Sequence, residues 1–361
     1  MRRIEADRLA PLRAAAQLLH RPAGMRHAAD VARAICGAQA QDPTAGRLAF
    51  RSRSRTLSAS EVDRARTEER ALVRTWAMRG TMHLLAADDV EWLVPLFAGP
   101  LADNSRKRLG ELGMPPPHQE RALREIAAAL ADGPLGRDAL AERIERRRIE
   151  LDPPRRFHVF RLAVALGIAC HGPDANGATC LALREDWLGE PRPRDRGDAL
   201  RELARRYLRA FGPATEADFA GWSGLGRRDA REALAGVAGD LVEVRIGGER
   251  AWTVGRAPRP GRRGLVRLLP AWDTYLMGHR DRDFVAAGAD WRRVMPGGGV
   301  LRPTVLVDGA AVATWSARRG RGGLRVEVDP FGDLDGPVRA AVESEVADLG
   351  RFEGLPATLH G

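Results

Sequence analysis

The segment Gly37-Ala38-Gln39-Ala40-Gln41-Asp42-Pro43-Thr44 decides how the first part of the chain is interpreted. Apolar residues at helical spacing precede it, and Gly37 interrupts that pattern, which indicates the end of a helix. Asp42 followed by Pro43 is typical of a helix start, because an aspartate cap satisfies free N–H groups and proline has none to lose. The segment is therefore predicted to be a tight turn between two helices, as in a helix-turn-helix.

The two glutamines of this turn admit two interpretations. If the turn is locally extended, Gln39 and Gln41 point to the same side, because side chains two residues apart share one face of an extended backbone. The alternative is that both glutamines only solvate a turn, and short motifs of this kind often arise by chance. The choice between the two depends on the rest of the chain.

The composition describes a globular chain with an excess of positive charge. Its 361 residues are 44% hydrophobic, which suffices for a large core and for two or three domains. The formal net charge is +10, which favours a polyanionic partner, nucleic acid before an acidic membrane.

Neither a disulfide framework nor a metal centre is indicated. Cys36, Cys170 and Cys180 are odd in number, and no short spacing links them. No apolar run approaches the roughly 18 residues of a membrane span, and the N-terminus lacks the apolar region of a signal peptide. We therefore expect a cytoplasmic protein with no metal, no cofactor and no membrane partner.

The order of predicted elements repeats along the chain. Helices followed by strands at 72–78 and 81–85, joined at Arg79-Gly80, predict a winged helix that ends near residue 115. Two further series follow, and in each a first helix is followed by Gly133-Pro134 or Gly212-Pro213 and then, at the same offset, by further helices. Each series ends in a pair of strands, and the last pair is predicted at 241–246 and 249–254 around Gly247-Gly248. We therefore predict three winged-helix units, at 1–115, 116–190 and 191–258.

The composition changes after a segment rich in proline, glycine and arginine at 258–264, which is predicted to be a linker. Strands are predicted at 265–269, 304–307, 311–318 and 324–328, with Asp308-Gly309 as a hairpin turn, and a final helix at 337–349. The expected fold class is α+β, with three tandem winged-helix (helix-turn-helix) units followed by a C-terminal β-barrel-like domain at 259–361. That domain is either a small barrel or a curled sheet.

Three motifs resemble those of the winged-helix DNA glycosylases of the AlkZ and YcaQ type. They are Gly-Ala-Gln-Ala-Gln-Asp at 37–42, Arg-Thr-Trp-Ala-Met-Arg-Gly-Thr-Met-His-Leu at 74–84, and Leu-Pro-Ala-Trp-Asp-Thr-Tyr-Leu-Met-Gly-His-Arg-Asp-Arg at 269–282. The resemblance implies a nucleoid-associated enzyme that surrounds duplex DNA, excises N7- or N3-alkylated purines in alkylation repair or self-resistance, and unhooks interstrand crosslinks. The family signature is glutamine, an apolar residue, then glutamine or aspartate, which places the catalytic roles on Gln39 and Gln41. Ala40 stands where a bulkier apolar residue is usual.

The implied reaction suits uncharged catalytic side chains. An N7- or N3-alkylated purine is already cationic, so it can leave the sugar without being protonated. The remaining task is to position a water molecule and to stabilise an oxocarbenium-like transition state. A glutamine can accept from the water with its carbonyl and donate with its amide, and two glutamines at this spacing can share one water. Asp42 is the rival candidate for a base, although we favour its capping role.

Six side chains are candidates for DNA contact, namely Arg47, Arg51, Arg79, His83, Arg280 and Arg282. The first two lie one helical turn apart and suit phosphate contact, although an exposed basic face would have the same spacing. His83 either approaches a DNA groove or packs within its own hairpin. The last two arginines flank Asp281 and could equally form ion pairs.

A second function remains open from the sequence. A non-catalytic winged-helix DNA-binding protein or transcription regulator could use the Gln-Ala-Gln turn only structurally. Such a regulator usually reads two half-sites as a symmetric dimer, whereas three winged helices in one chain suit a monomeric clamp on double-stranded DNA. We therefore favour a monomeric DNA glycosylase that acts on duplex DNA carrying alkylated purines.

Overall fold

A computed structural model describes residues 2–175, 178–190, 192, 194–255 and 263–360. The predicted linker at 258–264 lies outside these residues except for its last two positions. The described chain combines helices with mainly antiparallel sheets, so the α+β class is confirmed. None of its described helices is long and apolar enough to cross a membrane.

Helices make up most of the chain before residue 240 and close it near the C-terminus. In chain order they are α1 Ala6–Ala16, α2 Ala28–Ala34, α3 Pro43–Arg51, α4 Ala59–Thr67, α5 Ala87–Leu93, α6 Pro95–Glu111, α7 Pro116–Leu130, α8 Arg137–Glu145, α9 Pro153–Ala165, α10 Arg184–Leu188, α11 Arg196–Phe211, α12 Glu216–Ser223, α13 Arg227–Ala235, α14 Thr274–Met277, α15 Gly288–Val294 and α16 Gly336–Glu353.

The strands are short and come mostly as hairpins. In chain order they are β1 Arg2–Ile4, β2 Ala38–Gln39, β3 Leu72–Trp76, β4 Met82–Ala86, β5 Ala169–Ala175, β6 Ala178–Leu183, β7 Leu241–Ile246, β8 Glu249–Val254, β9 Val266–Leu269, β10 Thr304–Val307, β11 Ala310–Gly320, β12 Gly323–Pro330 and β13 Ala357–His360.

The chain forms two compact units, and one is inserted into the sequence of the other. The first unit comprises Met1–Asp63 and Leu200–Gly361, and the second comprises Arg64–Ala199. The candidate catalytic turn and the C-terminal strands therefore belong to the same unit. The hairpin of the second sequence motif, at 74–84, belongs to the inserted unit.

The N-terminal strand of the first unit joins a three-stranded sheet. β1 runs parallel to β7, and β7 pairs with β8 as a hairpin whose turn glycines, Gly247 and Gly248, both have positive φ. The hairpin was predicted with these bounds, because two adjacent glycines favour such a turn. Ile4 and Val244 belong to one buried apolar cluster, which buries the end of β1. The pairing of β1 was not predicted, because its partner strand lies about 240 residues later.

A five-stranded sheet with the order β13-β12-β11-β10-β9 forms the C-terminal part of the first unit. The predicted turn at Asp308-Gly309 joins β10 to β11, and both of its residues have positive φ. Within the described residues β9 and β13 are the sheet edges, so the sheet is open and a closed barrel is not found. Helix α16 covers one face of this open sheet, since its Val342, Val346 and Leu349 belong to the apolar core on that face.

The second unit contains two hairpins among helices. β3 and β4 pair across the predicted turn, where Arg79 and Gly80 both have positive φ. β5 and β6 pair in the same antiparallel manner. Helix α6 packs against α9 and was not predicted, because Gly99 and Pro100 interrupt its apolar pattern.

Candidate active site

The Gln-Ala-Gln turn is fixed at its first end by the C-terminus of α2. Cys36 and Gly37 both adopt positive φ, of 57° and 87°, and the Gly37 amide donates to the Ala32 carbonyl at 2.7 Å. A left-handed residue with a hydrogen bond back into the last helical turn is a common way to end a helix. The chain then becomes extended at Ala38–Gln39, so the first of the two glutamines lies in extended backbone.

The second end of the turn is fixed by the predicted cap of α3. The Asp42 carboxylate accepts from the Ala45 amide at 2.9 Å, and Pro43 occupies the first turn of the helix. This hydrogen bond occupies one oxygen of Asp42 with helix capping, which is the role that we favoured over that of a base. The turn is thus held by backbone or capping hydrogen bonds on both sides.

The two candidate catalytic glutamines differ in burial. The Gln39 residue is only 5% exposed, and Ala40 is fully buried. Gln41 is exposed at the end of the segment, directly before the cap of α3. A group approaching from solvent could therefore contact Gln41 directly, with Gln39 recessed beside it.

Arg47 and Arg51 face acidic side chains of the first unit. The two Nη atoms of Arg47 donate to Asp63 at 2.8 Å and to Glu353 at 3.2 Å, with the arginine side chain 24% exposed. Arg51 is 1% exposed and donates to Asp348 at 2.9 Å and to Glu345 at 3.1 Å. A DNA phosphate cannot reach a guanidinium buried in this way, so the predicted phosphate contact of Arg51 is corrected to a structural ion pair.

A buried group of charges around Arg51 connects α3 to α16 and β9. Arg21 contacts Glu345 at 3.0 Å and Asp348 at 2.8 Å, and Arg267 contacts Glu345 at 3.1 Å. This network was not predicted from the sequence. A usable signal was present, since Glu345 lies at helical spacing among the apolar residues of α16, and a carboxylate on an apolar face needs a buried partner.

A second buried ion pair ties the third sequence motif to the end of α3. Arg53 makes a bidentate contact with Asp273, at 2.8 and 2.9 Å, and both side chains have no exposed surface. The Gln17 side chain accepts from the same guanidinium at 2.8 Å. Asp273 also caps α14 by accepting from the Tyr275 amide. Asp273 of the motif at 269–282 therefore has a structural role.

His83 packs within the hairpin of the second unit. It is 1% exposed, and its Nδ1 lies 3.0 Å from the Thr81 carbonyl, which can only accept, so Nδ1 carries the proton. Burial, and then the charge of Arg79, lowers the pKa of His83 to about 3, so the imidazole is neutral at pH 7. A side chain this buried cannot approach a DNA groove, which corrects the predicted DNA contact. Arg79 is half-buried at the hairpin turn.

Arg280 and Arg282 lie in a loop of the first unit. The Arg280 side chain is exposed, while its backbone amide donates to the Asp218 carboxylate at 2.8 Å. Arg282 is half-buried with its guanidinium carbon 5.5 Å from the Trp291 ring centroid, and burial lowers its pKa. A cavity of about 610 Å³ is lined by Arg280 together with Asp218 and Asp281, so its charges have both signs. This cavity does not favour an anion.

These features define the class of the protein when the chain is compared with known families. A model of the family described as "DNA glycosylase AlkZ-like" matches residues 32–352, a range that contains all three sequence motifs. The chain therefore belongs to the AlkZ-like DNA glycosylases. The predicted enzyme class, a DNA glycosylase, is confirmed.

A curated relative and a solved structure from one organism extend the comparison. The chain is 28% identical over 350 residues to the interstrand DNA cross-link repair glycosylase of Streptomyces sahachiroi, and the alignment covers 91% of each chain. The solved structure of Streptomyces sahachiroi DNA glycosylase AlkZ matches with a TM-score of 0.81 at 26% identity. That match covers 99% of this chain and 100% of the other, so the resemblance to the family extends over the whole fold.

Proposed function

We propose that this protein is a monofunctional DNA glycosylase that hydrolyses the N-glycosidic bond of cationic N7- or N3-alkylated purines in double-stranded DNA. Membership of the AlkZ-like family supports the reaction class. One observation carries the assignment of the site. Two glutamines flank a fully buried alanine in a turn that hydrogen bonds hold at Gly37 and at Asp42.

The proposed mechanism uses the glutamines to position the nucleophile. A water oxygen attacks the anomeric carbon of the sugar, while the electrons of the breaking N-glycosidic bond neutralise the positive charge of the purine. The water proton passes to solvent. Gln39 and Gln41 accept from the water through their carbonyl oxygens and can donate to sugar or phosphate oxygens through their amides. Because neither side chain titrates, they add no ionisation near neutral pH.

We also propose that interstrand crosslinks are substrates. The Streptomyces sahachiroi relative is named as a cross-link repair glycosylase. A base tethered to the opposite strand cannot be extruded into a deep closed pocket, as base-flipping enzymes require. The exposure of Gln41 supports an open site of the kind that a tethered base needs. The role of the enzyme would be alkylation repair or self-resistance in the cytoplasm, at the nucleoid.

The proposed binding mode is a monomeric clamp made of three winged-helix units at 1–115, 116–190 and 191–258, with the β-rich domain at 259–361. The element order supports the second unit, where α7, α8 and α9 precede the β5–β6 hairpin. It also supports the third, where α11, α12 and α13 precede β7–β8. The net charge of +10 suits phosphate contact, for which we propose Arg79, Arg280, Arg282 and the partly exposed Arg47.

Release of 7-methylguanine from alkylated duplex DNA by the purified protein tests the proposed function. In single-turnover assays at saturating enzyme, Gln39→Ala and Gln41→Ala should each excise about 10- to 1,000-fold more slowly than wild type, the scale of losing one positioned group. Their affinity for DNA should stay unchanged. Asp42→Asn is the matched control, because asparagine also caps a helix but cannot act as a base.

Three results would contradict parts of this proposal. Wild-type excision by both glutamine variants would remove the site assignment. Loss of excision in Asp42→Asn, with its fold intact, would move the role of base to Asp42. Strong preference for one operator sequence that survives high salt, without release of any alkylated base, would favour a transcription regulator.

A further inference from the structure

Gly46 of α3 lies in unusually close contact with the residue between the two glutamines. A Cβ atom built on Gly46 would lie 2.6 Å from the Ala40 Cβ, 2.9 Å from the Ala40 Cα and 3.3 Å from the Gln39 carbonyl oxygen. Ordinary van der Waals contacts of a Cβ begin near 3.4 Å. Any side chain at position 46 would therefore push the Gln-Ala-Gln turn away from α3.

Backbone conformation does not account for a glycine at this position. Gly46 lies inside α3, its φ is not positive, and its amide donates to the Asp42 carbonyl at 2.9 Å in the regular helical pattern. Glycine in the interior of a helix destabilises it relative to alanine. The close approach of the turn is the feature of this site that requires the absence of a side chain.

Ala40 completes the contact from the other side. It is fully buried, and its Cβ lies 2.6 Å from the position that a Cβ of Gly46 would take, so a bulkier apolar side chain would meet the helix. The small residue at position 40 and the glycine at position 46 therefore fit each other. This pair explains how a turn with only an alanine between its glutamines can still be packed firmly.

We propose that Gly46 and Ala40 are positioning residues, whose contact sets where Gln39 and Gln41 stand relative to the reacting sugar. The inference rests on the proposed function, since it gives the turn a catalytic task. To bring the closest contact of a Gly46→Ala side chain from 2.6 to 3.4 Å, the turn and α3 must separate by about 0.8 Å. Misplacement of a catalytic group by about 1 Å can cost on the order of 100-fold in rate.

The test compares Gly46→Ala with Gly221→Ala. Gly221 is also a helical glycine of the first unit, in α12, but a Cβ there meets nothing within 4 Å. Gly46→Ala should lower the single-turnover rate of 7-methylguanine release by about 10- to 100-fold, with affinity for duplex DNA within about 2-fold of wild type. Gly221→Ala should keep the wild-type rate and affinity.

A second variant tests the contact itself. Adding Ala40→Gly to Gly46→Ala removes the 2.6 Å contact and leaves the 2.9 Å contact with the Ala40 Cα. The double variant should therefore recover part of the lost rate, which a general loss of stability would not explain. Ala40→Gly alone removes the packing atom without adding one, so it should excise more slowly than wild type. It serves as the test if Gly46→Ala does not fold.

The outcomes separate this inference from the proposed function. A folded Gly46→Ala protein that excises at the wild-type rate would overturn the positioning role, as would a wild-type rate in Ala40→Gly. Wild-type protein that releases no 7-methylguanine would overturn the proposed function instead. In that case a crystal structure of Gly46→Ala still decides the contact, because an unchanged separation of positions 40 and 46 would overturn the inference.

Discussion

Replacing Arg51 by alanine should destabilise the first unit without changing how DNA affinity depends on salt. The Arg51 guanidinium donates to Glu345 and Asp348, and also to the Leu268 carbonyl of β9. The residue is 1% exposed, so water does not take over these hydrogen bonds in the folded protein. The substitution leaves two acidic side chains and the backbone carbonyls of Leu268 and Glu345 without that donor.

The magnitude follows from the partners that stay in place. Removing one member of a buried ion pair costs about 3–5 kcal/mol. The lower end applies here, because Arg21 still contacts both carboxylates and Arg267 still contacts Glu345. A loss of about 3 kcal/mol lowers the melting temperature of a unit of this size by about 6–12 °C.

Thermal unfolding and DNA binding at several salt concentrations measure the two effects separately. Arg33→Ala is the control, because the Arg33–Asp30 ion pair on α2 is partly exposed and should be worth less than about 1 kcal/mol. The slope of log affinity against log salt should be the same for Arg51→Ala as for wild type. If Arg51→Ala melted at the wild-type temperature and its salt slope fell by about one phosphate contact, the assignment of a structural ion pair would be refuted.

Three further predictions concern charge and pH. Burial lowers the pKa of His83 to about 3, so below pH 6.5 the unfolded chain binds a proton that the folded chain does not. The free energy of unfolding therefore decreases as the pH is lowered. Between pH 7 and pH 5 this should remove about 2 kcal/mol from the free energy of unfolding, and His83→Gln should remove that part of the pH dependence in urea titrations. Arg280→Ala should weaken DNA binding and lower the salt slope by about 1 at an unchanged melting temperature, whereas an unchanged slope would exclude a phosphate contact. The single-turnover excision rate should stay flat between about pH 6.5 and pH 8, because Gln39 and Gln41 do not titrate, and a sigmoidal pH profile there would point to an ionising catalyst.

Elements with local sequence signals could be predicted from the sequence. Asp42 and Pro43 were identified as the start of α3, because capping depends on neighbouring residues alone. The Asp308-Gly309 turn and the β7–β8 hairpin were identified for the same reason. Closure of the C-terminal strands into a barrel could not be decided from the sequence, because the number of strands does not reveal whether a helix covers the sheet.

The environment of the candidate site depended on contacts that the sequence does not reveal. Arg47 and Arg51 are the same residue type and lie one helical turn apart, yet Arg47 is partly exposed and Arg51 is buried. The partners of Arg51 lie 294 and 297 residues later. Local patterns could therefore place both arginines on a helix but could not tell which of them faces the core.

The interrupted sequence of the first unit determines when its candidate catalytic turn can be assembled during translation. The turn lies within the first 63 residues, but the partners of Arg51 in β9 and α16 are synthesised 217 and at least 294 residues after Arg51 itself. At 5–20 residues per second, about 15–60 s separate the synthesis of Arg51 from that of its partners in α16. The inserted unit is contiguous and leaves the ribosome complete well before α16. A nascent chain therefore carries Gln39 and Gln41 long before α3, the helix that follows them, acquires its ion-pair partners. A chain that ends before α16 lacks these partners altogether.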